Sequence, residues 1–110
     1  MFFMIYCIDA PGQSERRMTL RPQHKAQVAR IESHLAAAGP LFADDGTTMI
    51  GSLLVADFSD RAALDVWLRD EPYTQQGVYA KVTIHPFLNV WPQAAGAPPK
   101  DLTKLTAFAR

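Results

Sequence analysis

A chain of 110 residues with 48% hydrophobic content has the size and composition of one globular domain with a packed core. Eleven Lys and Arg are balanced by eleven Asp and Glu, so no net positive field gathers phosphates or anionic lipid. Nucleic acid and membrane surfaces are disfavoured as partners. Cys7 stands alone, which excludes an internal disulfide and makes the cytoplasm the expected compartment, with the thiol a small core group.

The apolar run from Phe2 to Asp9 lacks the basic flank and cleavage site of a signal peptide, is too short to span a bilayer, and mixes aromatic and β-branched residues. It predicts a first strand, central in its sheet. The Gly- and Pro-containing stretch from Ala10 to Met18 reads as a loop. Pro22 suits a first helical turn, and His24, Val28, Ile31 and Leu35 then recur at helical spacing, which predicts a first helix over roughly 20–33. Gly39-Pro40 cannot continue a helix, so 35–42 is expected as an edge strand. Asp44-Asp45-Gly46 marks a turn, and 49–58 returns as a third strand paired with it in a hairpin.

Ser59 is the expected N-cap of a second helix whose apolar face is Ala63, Leu64, Val66, Trp67 and Leu68, and Pro72 stops it near Arg69 or Asp70. Residues 78–86 alternate. Val78, Ala80, Val82 and Ile84 share one side, and Tyr79, Lys81, Thr83 and His85 the other. The Ala-, Pro- and Gly-rich stretch after Trp91 reads as a linker and tail over 92–110, leaving the domain at 1–91. The order β-α-β-β-α-β is the split βαβ pattern of an α+β ferredoxin-like domain, a four-stranded antiparallel sheet with two helices on one face. That path gathers His24, Gly51-Ser52 and Asp70-Glu71 at one edge, far apart as they are in sequence. The other sheet face is left bare, and a homodimer is expected to cover it.

Arg21-Pro22-Gln23-His24, Ala38-Gly39-Pro40, Gly51-Ser52, Asp70-Glu71-Pro72-Tyr73, Gly77-Val78 and Pro86-Phe87 resemble, in order and spacing, the YCII-related (YciI-like) family over residues 2–91. The resemblance implies a subunit that pairs into a dimeric α+β barrel, with a histidine and an aspartate as a possible active-site pair. Here the carboxylate before Pro-Tyr is Glu71, with Asp70 one place earlier, so either is a candidate partner for His24.

His24 with Glu71 or Asp70 therefore forms the candidate catalytic pair, a general acid or base with a carboxylate to orient it. Arg21, Ser52 and Tyr73 are the candidate substrate-binding residues, through a charge-assisted bond and hydroxyl hydrogen bonds. No metal site is expected: His34 lies roughly 80° around the helix from His24, and His85 belongs to the outward face of the last strand. Trp67 and Trp91 are expected as core or interface aromatics. No cofactor motif is present. The expected function is a cofactor-free enzyme moving a proton on a small cyclic or phenolic metabolite, of lyase, dehydrochlorinase or isomerase type. The alternative is a non-catalytic dimer that binds a small molecule or serves assembly.

Overall fold

A computed structural model describes residues 1–91. The expected linker and tail at 92–110 lie outside the described residues. The elements are β1 (Phe2–Asp9), α1 (Ser14–Ala29), a 3₁₀ turn at Glu32–His34, β2 (Leu35–Phe42), β3 (Met49–Asp57), α2 (Arg61–Arg69), the single turn α3 (Pro72–Gln75) and β4 (Tyr79–Pro86). The strands make one antiparallel sheet in the order β2-β3-β1-β4. This is the expected ferredoxin-like α+β arrangement, with β1 and β3 central. Among the described residues no helix is long and apolar enough to cross a membrane.

The pleat sorts β1 into two sets. Phe3, Ile5 and Cys7 face the helices and join Leu54, Ala56, Leu64 and Trp67 in the core, with Val28, Val82 and Ile84 packed against it. Each fully buried Ile or Leu there contributes on the order of 1.5–3 kcal/mol. The alternate residues Met4 and Tyr6 lie opposite Val55 and Leu53 on the face away from the helices. α1 and α2 are also latched by polar groups: the Gln27 amide donates to the Trp67 carbonyl and the Trp67 indole to the Gln27 carbonyl, both at 3.1 Å.

β1 and β3 approach closely at Gly51. A Cβ there would sit 2.2 Å from the Cys7 carbonyl oxygen, so only a residue without one fits the sheet as built.

Three expectations about the helices are corrected, while α2 ends at Arg69 as expected. α1 begins at Ser14 rather than near residue 20, so Pro22 lies in its interior and His24 in its middle. An interior proline costs about 3 kcal/mol, and tertiary contacts offset it here. Arg17 is paired with Asp9, and its carbonyl accepts the Tyr73 hydroxyl at 3.1 Å. The N-cap of α2 is Asp60, whose carboxylate accepts the Ala63 N–H at 2.8 Å; Ser59 precedes it, exposed. Val66 lies on the solvent side of α2, 53% exposed, because the helix turns Leu64 and Trp67 inward. Pro72 does more than end α2: it opens α3 at a position where its missing N–H is harmless.

Tyr79 also departs from the simple alternation. Ile8 pairs with Lys81 but Asp9 with Tyr79, so Ala80 is an extra residue in β4. Such a bulge re-aims the side chain beside it, and Tyr79 turns to the helix-covered face instead of joining Lys81, Thr83 and His85. Trp67 lies in the core as expected, whereas Trp91 is 84% exposed.

Candidate active site

The ends of β1 and α2 and the starts of α1 and β3 meet at one edge of the sheet, and a cleft of about 290 Å³ opens beside them between α1 and the β2–β3 hairpin. Arg17, Arg21, His24, Ser52 and Tyr73 line it. Its opposite wall is mostly apolar, including Leu35, Pro40 and Leu54.

His24 Nδ1 lies 2.5 Å from Glu71 Oε1. Glu71 is the N-cap of α3, and its Oε2 accepts the Thr74 N–H at 3.1 Å. A neutral imidazole that donates its Nδ1–H to this carboxylate keeps its lone pair on Nε2. The cap buries Glu71 to 1% exposure and aims it away from α2. Tyr73, two residues on, stacks on the imidazole with centroids 4.1 Å apart and planes inclined by 13°. One turn of helix thus holds the ring by its edge and by its face.

Asp70 is not part of this arrangement. It caps the C-terminus of α2, exposed, with its N–H turned back to the Leu68 and Trp67 carbonyls. Glu71 is therefore the carboxylate that meets His24. Ser52 and Tyr73 are buried in the cleft, and Arg21 is exposed at its rim. His34 and His85 are exposed and stand outside the cleft, and among the described residues no group of His, Cys, Asp and Glu is placed to hold a metal.

Three residues that the sequence did not single out complete the floor. Arg17 is 3% exposed, and its Nε and Nη2 donate to the Asp9 carboxylate at 2.7 and 2.9 Å. Nη2 also donates to Ser52 Oγ at 2.8 Å, and Tyr79 donates its hydroxyl to the same oxygen at 3.1 Å. The Arg17 guanidinium lies 4.6 Å from the centroid of the Tyr73 ring. Burial opposes the guanidinium charge, but the hydrogen bonds and charge of Asp9 outweigh it and raise the Arg17 pKa. Burial likewise pushes up the Tyr79 and Tyr73 phenols, so both stay protonated donors at neutral pH, the Arg17 charge opposing this only in part. The spacing Arg17, Arg21, His24, Val28 is a helical face, but it is readable only once the helix is known to pass through Pro22.

Strand order and a single helix layer define a ferredoxin-like α+β protein, here with a histidine–glutamate pair in an open cleft. The YCII-related domain matches residues 1–88, and the chain belongs to that family. It is 34% identical over 98 residues to protein YciI of Escherichia coli, matching 83% of this chain and the whole of that one. An uncharacterized protein of Haemophilus influenzae matches with the same identity and coverage. In structure the chain is similar to 5-chloro-2-hydroxyhydroquinone dehydrochlorinase from Burkholderia phenoliruptrix, solved in complex with 2,5-dihydroxybenzoquinone. The TM-score is 0.74, with 23% identity over 79% of this chain and 93% of the other, a likeness of fold.

Proposed function

We propose that the protein is a small enzyme that moves protons on a cyclic or phenolic metabolite, with His24 as acid or base and Glu71 as its orienting partner. The observation that carries this reading is the 2.5 Å pair between His24 Nδ1 and Glu71, which leaves Nε2 for the substrate. A base so held takes a proton from a ring hydroxyl or an acidic carbon. The proton returns elsewhere in an isomerisation, or a leaving group departs with its bonding pair in an elimination. Proton transfer of this kind needs no cofactor. The shared fold with a dehydrochlorinase supports the elimination branch by analogy.

Two such subunits pair through the sheet faces that carry Met4, Tyr6, Leu53 and Val55, leaving each cleft on the helix side. The apolar strip that β1 and β3 give this face, beside the more polar Lys81, Thr83 and His85 of β4, supports pairing, because it gains from being covered.

Chloride release from 5-chloro-2-hydroxyhydroquinone, together with calorimetric binding of 2,5-dihydroxybenzoquinone, tests the reading on wild type and His24→Gln. Turnover lost in the variant with binding retained is the expected pattern. Binding without turnover in the wild type would replace the enzyme by a small-molecule binding protein.

A further inference from the structure

Arg17 and Ser52 hold donors that no group among the described residues is seen to use. The Asp9 carboxylate occupies the Nε and Nη2 side of the guanidinium, and Ser52 Oγ takes the other Nη2 hydrogen. Nη1 has no hydrogen-bond partner among the described residues, although the side chain is 3% exposed and lines the cleft. Ser52 is 2% exposed, and its oxygen accepts from both Arg17 and Tyr79. A hydroxyl has two lone pairs and one hydrogen, so with Arg17 and Tyr79 donating to the lone pairs the Ser52 hydrogen is left to turn toward an acceptor in the cleft. A buried cation and a buried hydroxyl thus present spare donors to one cleft, held in place by Asp9, Tyr79 and the Tyr73 ring.

We infer that this floor is a preformed site for a single ionised oxygen, which Arg17 Nη1 and Ser52 Oγ–H bind together. Both residues line the cleft, and a substrate oxyanion is a partner that fits the two donors together. The site selects a phenolate or enolate over a carboxylate. Asp9 already holds the fork edge that a carboxylate would grip with two hydrogen bonds, and the opposite edge is half taken by Ser52. The apolar wall of Leu35, Pro40 and Leu54 accommodates a planar ring attached to that oxygen. Arg17 and His24 each touch the Tyr73 ring and line the same cleft, so a ring anchored at Arg17 shares that cleft with the imidazole. The inference rests on the cleft being the substrate site but not on the acid–base role of His24.

4-Nitrophenol is a direct probe, because its phenolate absorbs visible light and its phenol does not. The wild type is expected to bind the phenolate about tenfold more tightly than the phenol, moving the ionisation of the bound probe down by about one pH unit. Benzoate is expected to compete more weakly than the phenolate. Ser52→Ala, and Asp9→Asn combined with Arg17→Gln to keep the pair hydrogen-bonded, should each abolish the preference. Ser52→Ala carries the test alone if the double variant does not fold. His24→Gln should keep the preference while losing turnover, which separates this site from the acid–base reading. Equal binding of phenol and phenolate, binding of benzoate as tight as phenolate, no saturable binding at millimolar concentration, or a preference that survives Ser52→Ala would each overturn the proposal.

Discussion

The imidazole of His24 lies flat against the phenol ring of Tyr73, 4.1 Å between centroids, while the Tyr73 hydroxyl reaches back to the Arg17 carbonyl on the same helix. Tyr73 therefore fixes the height of α3 against α1, and with it the reach of Glu71. Tyr73→Phe keeps the ring and loses one neutral hydrogen bond, an expected cost of about 1 kcal/mol. Tyr73→Ala removes the stack and leaves a cavity, an expected cost of about 3–5 kcal/mol. Urea unfolding of the two variants checks this, and equal losses would show that the ring contact adds nothing.

Glu71→Gln preserves volume and the cap to Thr74 but removes the charge opposite His24 Nδ1. Turnover is expected to fall by about 10²–10⁴, the usual worth of a positioned acid or base. The downfield Nδ1–H resonance of His24 should vanish from the proton NMR spectrum. Asp70→Asn, at an exposed cap, should leave both readouts as they are.

Gly51→Ala places a methyl group within 2.2 Å of the Cys7 carbonyl oxygen, so the two central strands must part. The expected loss is about 1–3 kcal/mol or more, by analogy with overpacked cores. Gly39→Ala meets nothing within 4 Å and is expected to be neutral or slightly stabilising. Thermal unfolding by circular dichroism distinguishes the pair, and similar melting temperatures would refute the close approach.

Cys7 is fully buried in β1, and burial pushes its thiol from the ordinary 9.0 up to about 12, the Glu71 charge adding to the effect. Native protein should react with a disulfide reagent at pH 8 about two to three orders of magnitude more slowly than unfolded chain. Between pH 9.0 and about 12 the folded state keeps a proton that the unfolded state has lost. Stability therefore falls as pH rises through that window, and Cys7→Ala should flatten the fall. Rapid labelling of native protein would contradict the burial.

Light scattering at micromolar concentration is expected to give about twice the 12.2 kDa chain mass. Tyr6→Glu, on the face away from the helices, should return the protein to a monomer with its cleft intact. A monomeric wild type would remove the pairing proposal.

The hydrophobic pattern alone determined the sheet: the apolar run of β1, the Gly39-Pro40 edge strand, the turn at Asp45 and the return of β3 all follow from local signals, and their order specifies the split βαβ path. It also brought His24, Ser52 and the Asp70-Glu71 pair to one edge, because topology converts sequence order into place. Tertiary structure decided the rest. Pro22 is a local signal for a helix start, and only the contacts of Arg17 with Asp9 and Tyr73 let α1 run through it from Ser14. The choice of Glu71 over Asp70 depends on α3, a single turn with too few residues to show periodicity. Tyr79 turns to the helix-covered face and reaches Ser52 because of one extra residue in β4, which re-aims the side chain before it and leaves no trace in the alternation. Arg17 belongs to the site because its charge is compensated from another strand, a partnership that exists only when the chain is folded.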